Sequence, residues 1–104
     1  MTSKFHFSVG AVMLAVMSAW PVAARAQDVA ARDMAATCAN CHGTDGRSVG
    51  TVPGLAGVEK GYMVQQMQDF KSGKRPATIM HQLAKGLSDA QIEQMAAYFA
   101  AQKK

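Results

Sequence analysis

Five consecutive residues, Cys38-Ala39-Asn40-Cys41-His42, constrain this chain more than any other feature of it. They form a C-x-x-C-H pattern: two thiols separated by two residues, followed at once by an imidazole. Each thiol can add to one vinyl group of a porphyrin, and the next residue is then placed to put a ring nitrogen on the iron. The pattern therefore points to one covalently attached haem c held through Cys38 and Cys41, with His42 as an axial ligand. Three other chemistries use cysteines so spaced. A thioredoxin-type redox pair belongs to a fold of alternating strands and helices, which this sequence lacks. A zinc site needs four ligands, and beyond Cys38, Cys41, His42 and His81 there is no second pair. A disulfide closing so short a loop stabilises little by the chain-entropy argument.

The first residues read as an address rather than as part of the fold. Lys4 and His6 make a weakly basic start, the apolar run Phe7 to Trp20 follows, and Ala24-Arg25-Ala26 supplies an A-x-A cleavage pattern. Residues 1–26 are expected to be a signal peptide cut before Gln27, leaving 27–104 as one small domain in the periplasm. An uncleaved anchor is the alternative, although the apolar run falls short of the ~20 residues a span requires. A domain below ~80 residues rarely stabilises itself by its own core. With both cysteines committed, a buried porphyrin plate is the available reinforcement, so the haem-free chain is expected to be largely unfolded.

The net charge is +4 over the whole chain. Without Lys4 and Arg25 it falls to +2, which two haem propionates would bring near zero. That balance argues against a nucleic-acid or membrane-binding role. Lys71, Lys74 and Arg75 cluster, either as a solvated face or as a docking patch for an acidic partner.

Along residues 27–104 helical spacing recurs in separate stretches, broken by loop and turn signals. A first helix is expected from about Val29 into Cys38. Gly43, Gly46, Gly50, Gly54 and Gly57 then mark a long loop, suited to covering one face of a flat cofactor. Tyr62, Met63, Gln66, Met67 and Phe70 form a stripe at steps of three and four, closed by Ser72-Gly73. Thr78 to Lys85 is expected to be a short helix or turn after the break at Pro76. The last helix begins at Ser88, with Gln91 positioned for a capping box and Asp89 at the positive helix end. Its apolar face is Ile92, Met95, Ala96 and Phe99, expected to cross the first helix through small alanines.

An electron carrier needs both axial positions of its iron filled, and a thioether there favours the ferrous state. Met34, Met63, Met67 and Met95 sit on helical segments, where methionine usually serves packing. Met80 lies between the Pro76 break and the last helix, where a loop can cross the opposite haem face. His81, one residue on, is the competing ligand. On the other side, the Pro53 carbonyl is a candidate acceptor for the second ring N–H of His42, with Leu55 packing on the haem. Pro53 serving only to stiffen its loop is the plainer alternative.

Cys38-Ala39-Asn40-Cys41-His42-Gly43, Pro53-Gly54-Leu55-Ala56-Gly57, the helix end Phe70-Lys71-Ser72-Gly73, the Met80 segment and the final Leu87-Ser88-Asp89 helix together resemble the small class I cytochromes c. The resemblance implies an all-α fold of short helices wrapped around one haem c, with Met80 as distal ligand and no chemistry on substrates at the iron. Gly43-Thr44-Asp45-Gly46-Arg47-Ser48-Val49-Gly50, Thr78-Ile79-Met80 and Ala84-Lys85-Gly86-Leu87-Ser88 further resemble the haem subunit of flavocytochrome c sulfide dehydrogenases. In that family a separate flavoprotein oxidises sulfide and the cytochrome carries electrons away singly. Leu87 departs from an aromatic residue associated with its position, and only the single-haem form fits one C-x-x-C-H. Two other functions remain in view. One is a freely diffusing periplasmic carrier delivering electrons to a terminal oxidase or reductase. The other is an open-iron sensor or peroxidase, which would require Met80 not to bind.

Overall fold

The computed structural model describes residues 20–104, with side chains from Gln27 onward. The expected leader, residues 1–26, lies outside the described residues except for the backbone of 20–26. Five helices follow in order: α1 Trp20–Ala36, α2 Ala39–His42, α3 Lys60–Ser72, α4 Met80–Lys85 and α5 Asp89–Ala100, with a 3-10 turn at Thr44–Gly46 after α2. No strand occurs among the described residues. None of the described helices is long and apolar enough to cross a membrane.

The first helix differs from expectation at both ends. It already runs from Trp20, and it stops at Ala36 rather than entering the C-x-x-C-H segment. Thr37 explains the stop. Its hydroxyl donates to the Met34 carbonyl at 2.7 Å, occupying an acceptor at the helix end. The Thr37 and Cys38 amides then reach back only three residues, to Met34 and Ala35, which tightens the chain into a turn.

α3 starts at Lys60, two residues before the expected Tyr62, because Glu59 caps it. The Glu59 carboxylate accepts from the Gly61 and Tyr62 amides at 2.8 and 2.7 Å. α3 closes on Gly73 at φ 80°, the left-handed conformation a helix-ending glycine supplies. The ambiguous 78–85 segment resolves into a short helix starting at Met80. α5 carries the expected capping box: Ser88 Oγ accepts from the Gln91 amide at 3.2 Å, and Gln91 Oε1 accepts from the Ser88 amide at 2.8 Å.

The core lies where α1, α3, α4 and α5 meet. Ala35, Met63, Met67, Ala84, Ile92, Met95, Ala96 and Phe99 form its cluster, and Phe99 and Ile92 are its largest fully buried side chains. The cluster is thin, since three of the eight are alanines. Small residues bring helix axes close: α1 packs on α5 with Ala31 and Ala35 buried. The glycine loop is stitched down at Gly46. Its carbonyl accepts from the Leu55 and Ala56 amides at 2.8 and 3.2 Å, and a Cβ there would fall 2.9 Å from the Phe99 ring. With φ at 76° as well, Gly46 has no ready substitute.

Candidate functional site

α2 is a single turn, and it sets the C-x-x-C-H side chains. Cys38 stands at its head, and the Cys38 carbonyl accepts from the Cys41 and His42 amides at 3.2 and 2.9 Å. That turn brings the two thiols and the imidazole onto adjoining positions of one helical turn. Both cysteines are free. Cys41 is exposed; Cys38 is half-buried, its sulfur 3.7 Å from the thioether of Met95 on α5. Burial pushes the Cys38 thiol above its ordinary value, with Cys41 adding to the rise and a contact from Thr37 opposing it.

His42 Nδ1 lies 2.7 Å from the Pro53 carbonyl oxygen. A carbonyl can only accept, so Nδ1 carries the proton and Nε2 keeps its lone pair. The imidazole is thereby fixed in the tautomer that suits a metal ligand. Leu55, two residues beyond Pro53, packs against the core cluster.

Met80 opens α4, half-buried and packed on the same core as Cys38 and Leu55. His81 follows on the same helix, so the two side chains leave the axis about 100° apart. Its Nδ1 is buried and has no hydrogen-bond partner. Met63, Met67 and Met95 are buried in the core, where they serve packing. The structure thus brings Cys38, Leu55 and Met80 to one core, and holds His42 against Pro53.

The fit to a flat apolar cofactor can be judged from what surrounds these residues. The protein core is thin, while Tyr62, Ile79 and Leu83 are more than half exposed and Val52 is also exposed. Large apolar side chains left exposed, free paired thiols and an oriented imidazole together suit a porphyrin. The residues present therefore fit haem c.

Sequence reasoning missed a polar clamp behind the motif. The Tyr98 hydroxyl of α5 donates to Asp45 Oδ1 at 2.6 Å, and Arg47 meets Asp45 Oδ2 at 3.2 Å. Arg47 Nε also donates to the Lys103 carbonyl at 2.9 Å. The Tyr98 contact, then Arg47, hold the Asp45 carboxyl below its ordinary range, and the Tyr98 hydroxyl is raised in turn. Asp45 takes a left-handed φ of 52° to reach these partners. The clamp joins residues far apart in sequence, so no local pattern could have announced it.

The basic cluster is largely occupied by internal contacts. Lys71 Nζ donates to the Leu87 carbonyl at 2.7 Å and reaches Asp89 at 3.3 Å. The Arg75 guanidinium stacks 4.6 Å from the Phe70 ring centroid and donates to Gln66 Oε1.

With this geometry in hand, the class is that of a small all-α protein wrapped around a covalently attached haem. The Cytochrome c family model matches residues 23–103, and the chain belongs to that family. It is 46% identical over 61 residues to cytochrome c-552 of Acidithiobacillus ferridurans, covering 59% of this chain and 26% of that protein. It is 41% identical over 63 residues to the cytochrome subunit of sulfide dehydrogenase of Chlorobaculum tepidum, covering 61% of this chain and 57% of that protein. Among solved structures, the cytochrome c4 of Acidithiobacillus ferrooxidans superposes with a TM-score of 0.62 at 36% identity, covering 69% of this chain and 49% of that one. The chain thus spans about a quarter of the first relative and just over half of the second. These matches bear out the class I cytochrome c fold and haem c as the cofactor.

Proposed function

We propose that this chain is a periplasmic monohaem cytochrome that passes single electrons, acting as the haem subunit that accepts them from a sulfide-oxidising flavoprotein. Cys38 and Cys41 would hold the porphyrin through thioethers, and His42 Nε2 and the Met80 sulfur would bind its iron. Haem, when bound, supplies a one-electron iron couple. The chain's own residues keep that site from rearranging when the charge changes. Pro53 fixes the His42 ring, Leu55 and the α5 core back the pocket, and the Asp45–Tyr98 clamp holds the loop between them. The observation that carries the reading is the His42 Nδ1–Pro53 contact beside two free cysteines. It leaves the ligating nitrogen available in the only tautomer that can bind metal there.

Two observations support a complex subunit over a freely diffusing carrier. The first is the likeness to a sulfide dehydrogenase cytochrome subunit. The second is the basic cluster: Lys71 and Arg75 have internal partners, which leaves less free charge to steer a transient encounter. A stable heteromeric interface uses apolar contact, whereas a transient one relies on charge. Export through a leader cut before Gln27 completes the reading. Affinity purification of the tagged protein from its own cells tests the partner. Co-elution of a flavin-containing chain is expected, and reduction of the haem by sulfide only in that fraction. Recovery of the cytochrome alone, reduced equally well by small donors and by other redox proteins, would favour the free carrier.

A further inference from the structure

We propose that Gln27 becomes the first residue of the exported chain and closes on itself to a five-membered lactam, so that α1 begins with a neutral, blocked terminus. The inference rests on the leader removal put forward above. Hydrolysis of the Ala26–Gln27 peptide bond frees the Gln27 α-amine beside its own side-chain carboxamide. The amine nitrogen attacks Cδ, a new N–Cδ amide bond forms, the Cδ–Nε2 bond breaks, and ammonia leaves. No oxidant or second substrate is needed.

The structure favours this terminus in three ways. Gln27 is exposed, so a free end there is accessible and meets no packing obstacle to ring closure. It lies within α1, which runs from Trp20 to Ala36, so removal of the preceding residues makes Gln27 a helix start. The start of a helix carries about half a unit of positive charge, and a protonated α-amine adds to it where a lactam does not. The local surroundings leave that preference in place. Gln27 sits on the rim of a surface cleft of about 490 Å³ between α1 and α5, together with Asp28, Arg32, Gln94, Tyr98 and Gln102. α5 contributes only neutral groups to this rim, and Arg32 brings a cation, leaving Asp28 as its one carboxylate. The lactam keeps the Gln27 main-chain carbonyl, which remains the acceptor for the first helical N–H bond.

The test is the intact mass of haem-bearing protein purified from an export-competent host, paired with chemical labelling of free amines. The expected result is a chain of residues 27–104 with one haem, lighter by one ammonia, whose lysines label while its α-amine does not. Gln27→Ala retains the Ala24-x-Ala26 cut but has no carboxamide. It is expected to show the full mass of its sequence and a labelled α-amine. A wild-type chain that begins at Gln27, keeps its full mass and labels at its α-amine overturns the lactam while leaving leader removal intact. A chain that begins at any other residue overturns both. The visible spectrum of the same sample reports haem attachment independently.

Discussion

At the scale of single residues, the decisive contact is the one that orients His42. With Nδ1 tied to Pro53, the imidazole presents Nε2 alone, and His42→Ala is expected to yield a chain whose iron lacks its proximal ligand and whose spectrum turns high-spin. The Asp45–Tyr98 pair makes a sharper prediction about pH. Asp45 is held below its ordinary 3.8, so its contribution is present above that value and fades as pH falls through the lowered one. Tyr98 is raised above its ordinary 10.0, so its contribution is full below 10 and is lost as pH rises through the raised value. Tyr98→Phe should therefore lower the thermal midpoint by roughly a few degrees between those limits, with the deficit shrinking at either extreme. A deficit independent of pH from acid to alkali would contradict the pairing. The C-x-x-C-H spacing was legible because it is a short-range feature with one dominant chemistry, while the Pro53 acceptor could be named only beside a loop-stiffening alternative. The Tyr98 clamp was not, because its partners meet only once α5 is folded back on the loop.

At the scale of elements, α5 organises the molecule. Its capping box satisfies the orphan amides of its first turn, and its inner face supplies Ile92, Met95, Ala96 and Phe99 to the core. Ser88→Ala should cost about 1 kcal/mol, read from denaturant midpoints of the haem-bearing protein at unchanged slope. Ala96 is fully buried in the core cluster on the inner face of α5. Enlarging it to Leu should cost about 1–3 kcal/mol by overpacking that cluster. A neutral result would mean that the core has slack around this alanine. The capping box and the α5 stripe could be read directly, since side chain and backbone partner lie within one turn. The ends of α1 and α3 could not. Thr37 and Glu59 set those boundaries through side-chain bonds that compete with, or substitute for, ordinary helix caps.

At the scale of the whole molecule, a thin core of methionine and alanine stands beside outward-facing Tyr62, Ile79 and Leu83. Such a chain gains burial from its cofactor, which covalent attachment keeps with the chain so that its apolar plate can be buried on folding. The haem-free protein is therefore expected to show little helical circular dichroism, and full helicity would contradict the dependence. Engagement of Lys71 and Arg75 within the fold also predicts weak salt dependence of electron transfer to its partner. A steep fall in rate between low and moderate ionic strength would mean that charge steering dominates instead. The central claim is an iron held between His42 and Met80, and the optical spectrum of the mature, haem-bearing protein tests it most directly. The prediction is a six-coordinate, low-spin spectrum with the weak long-wavelength ferric band of a methionine ligand, lost in Met80→Ala and retained in His81→Ala. A colourless polypeptide, a five-coordinate reduced iron, or a spectrum altered by His81→Ala and not by Met80→Ala would contradict it.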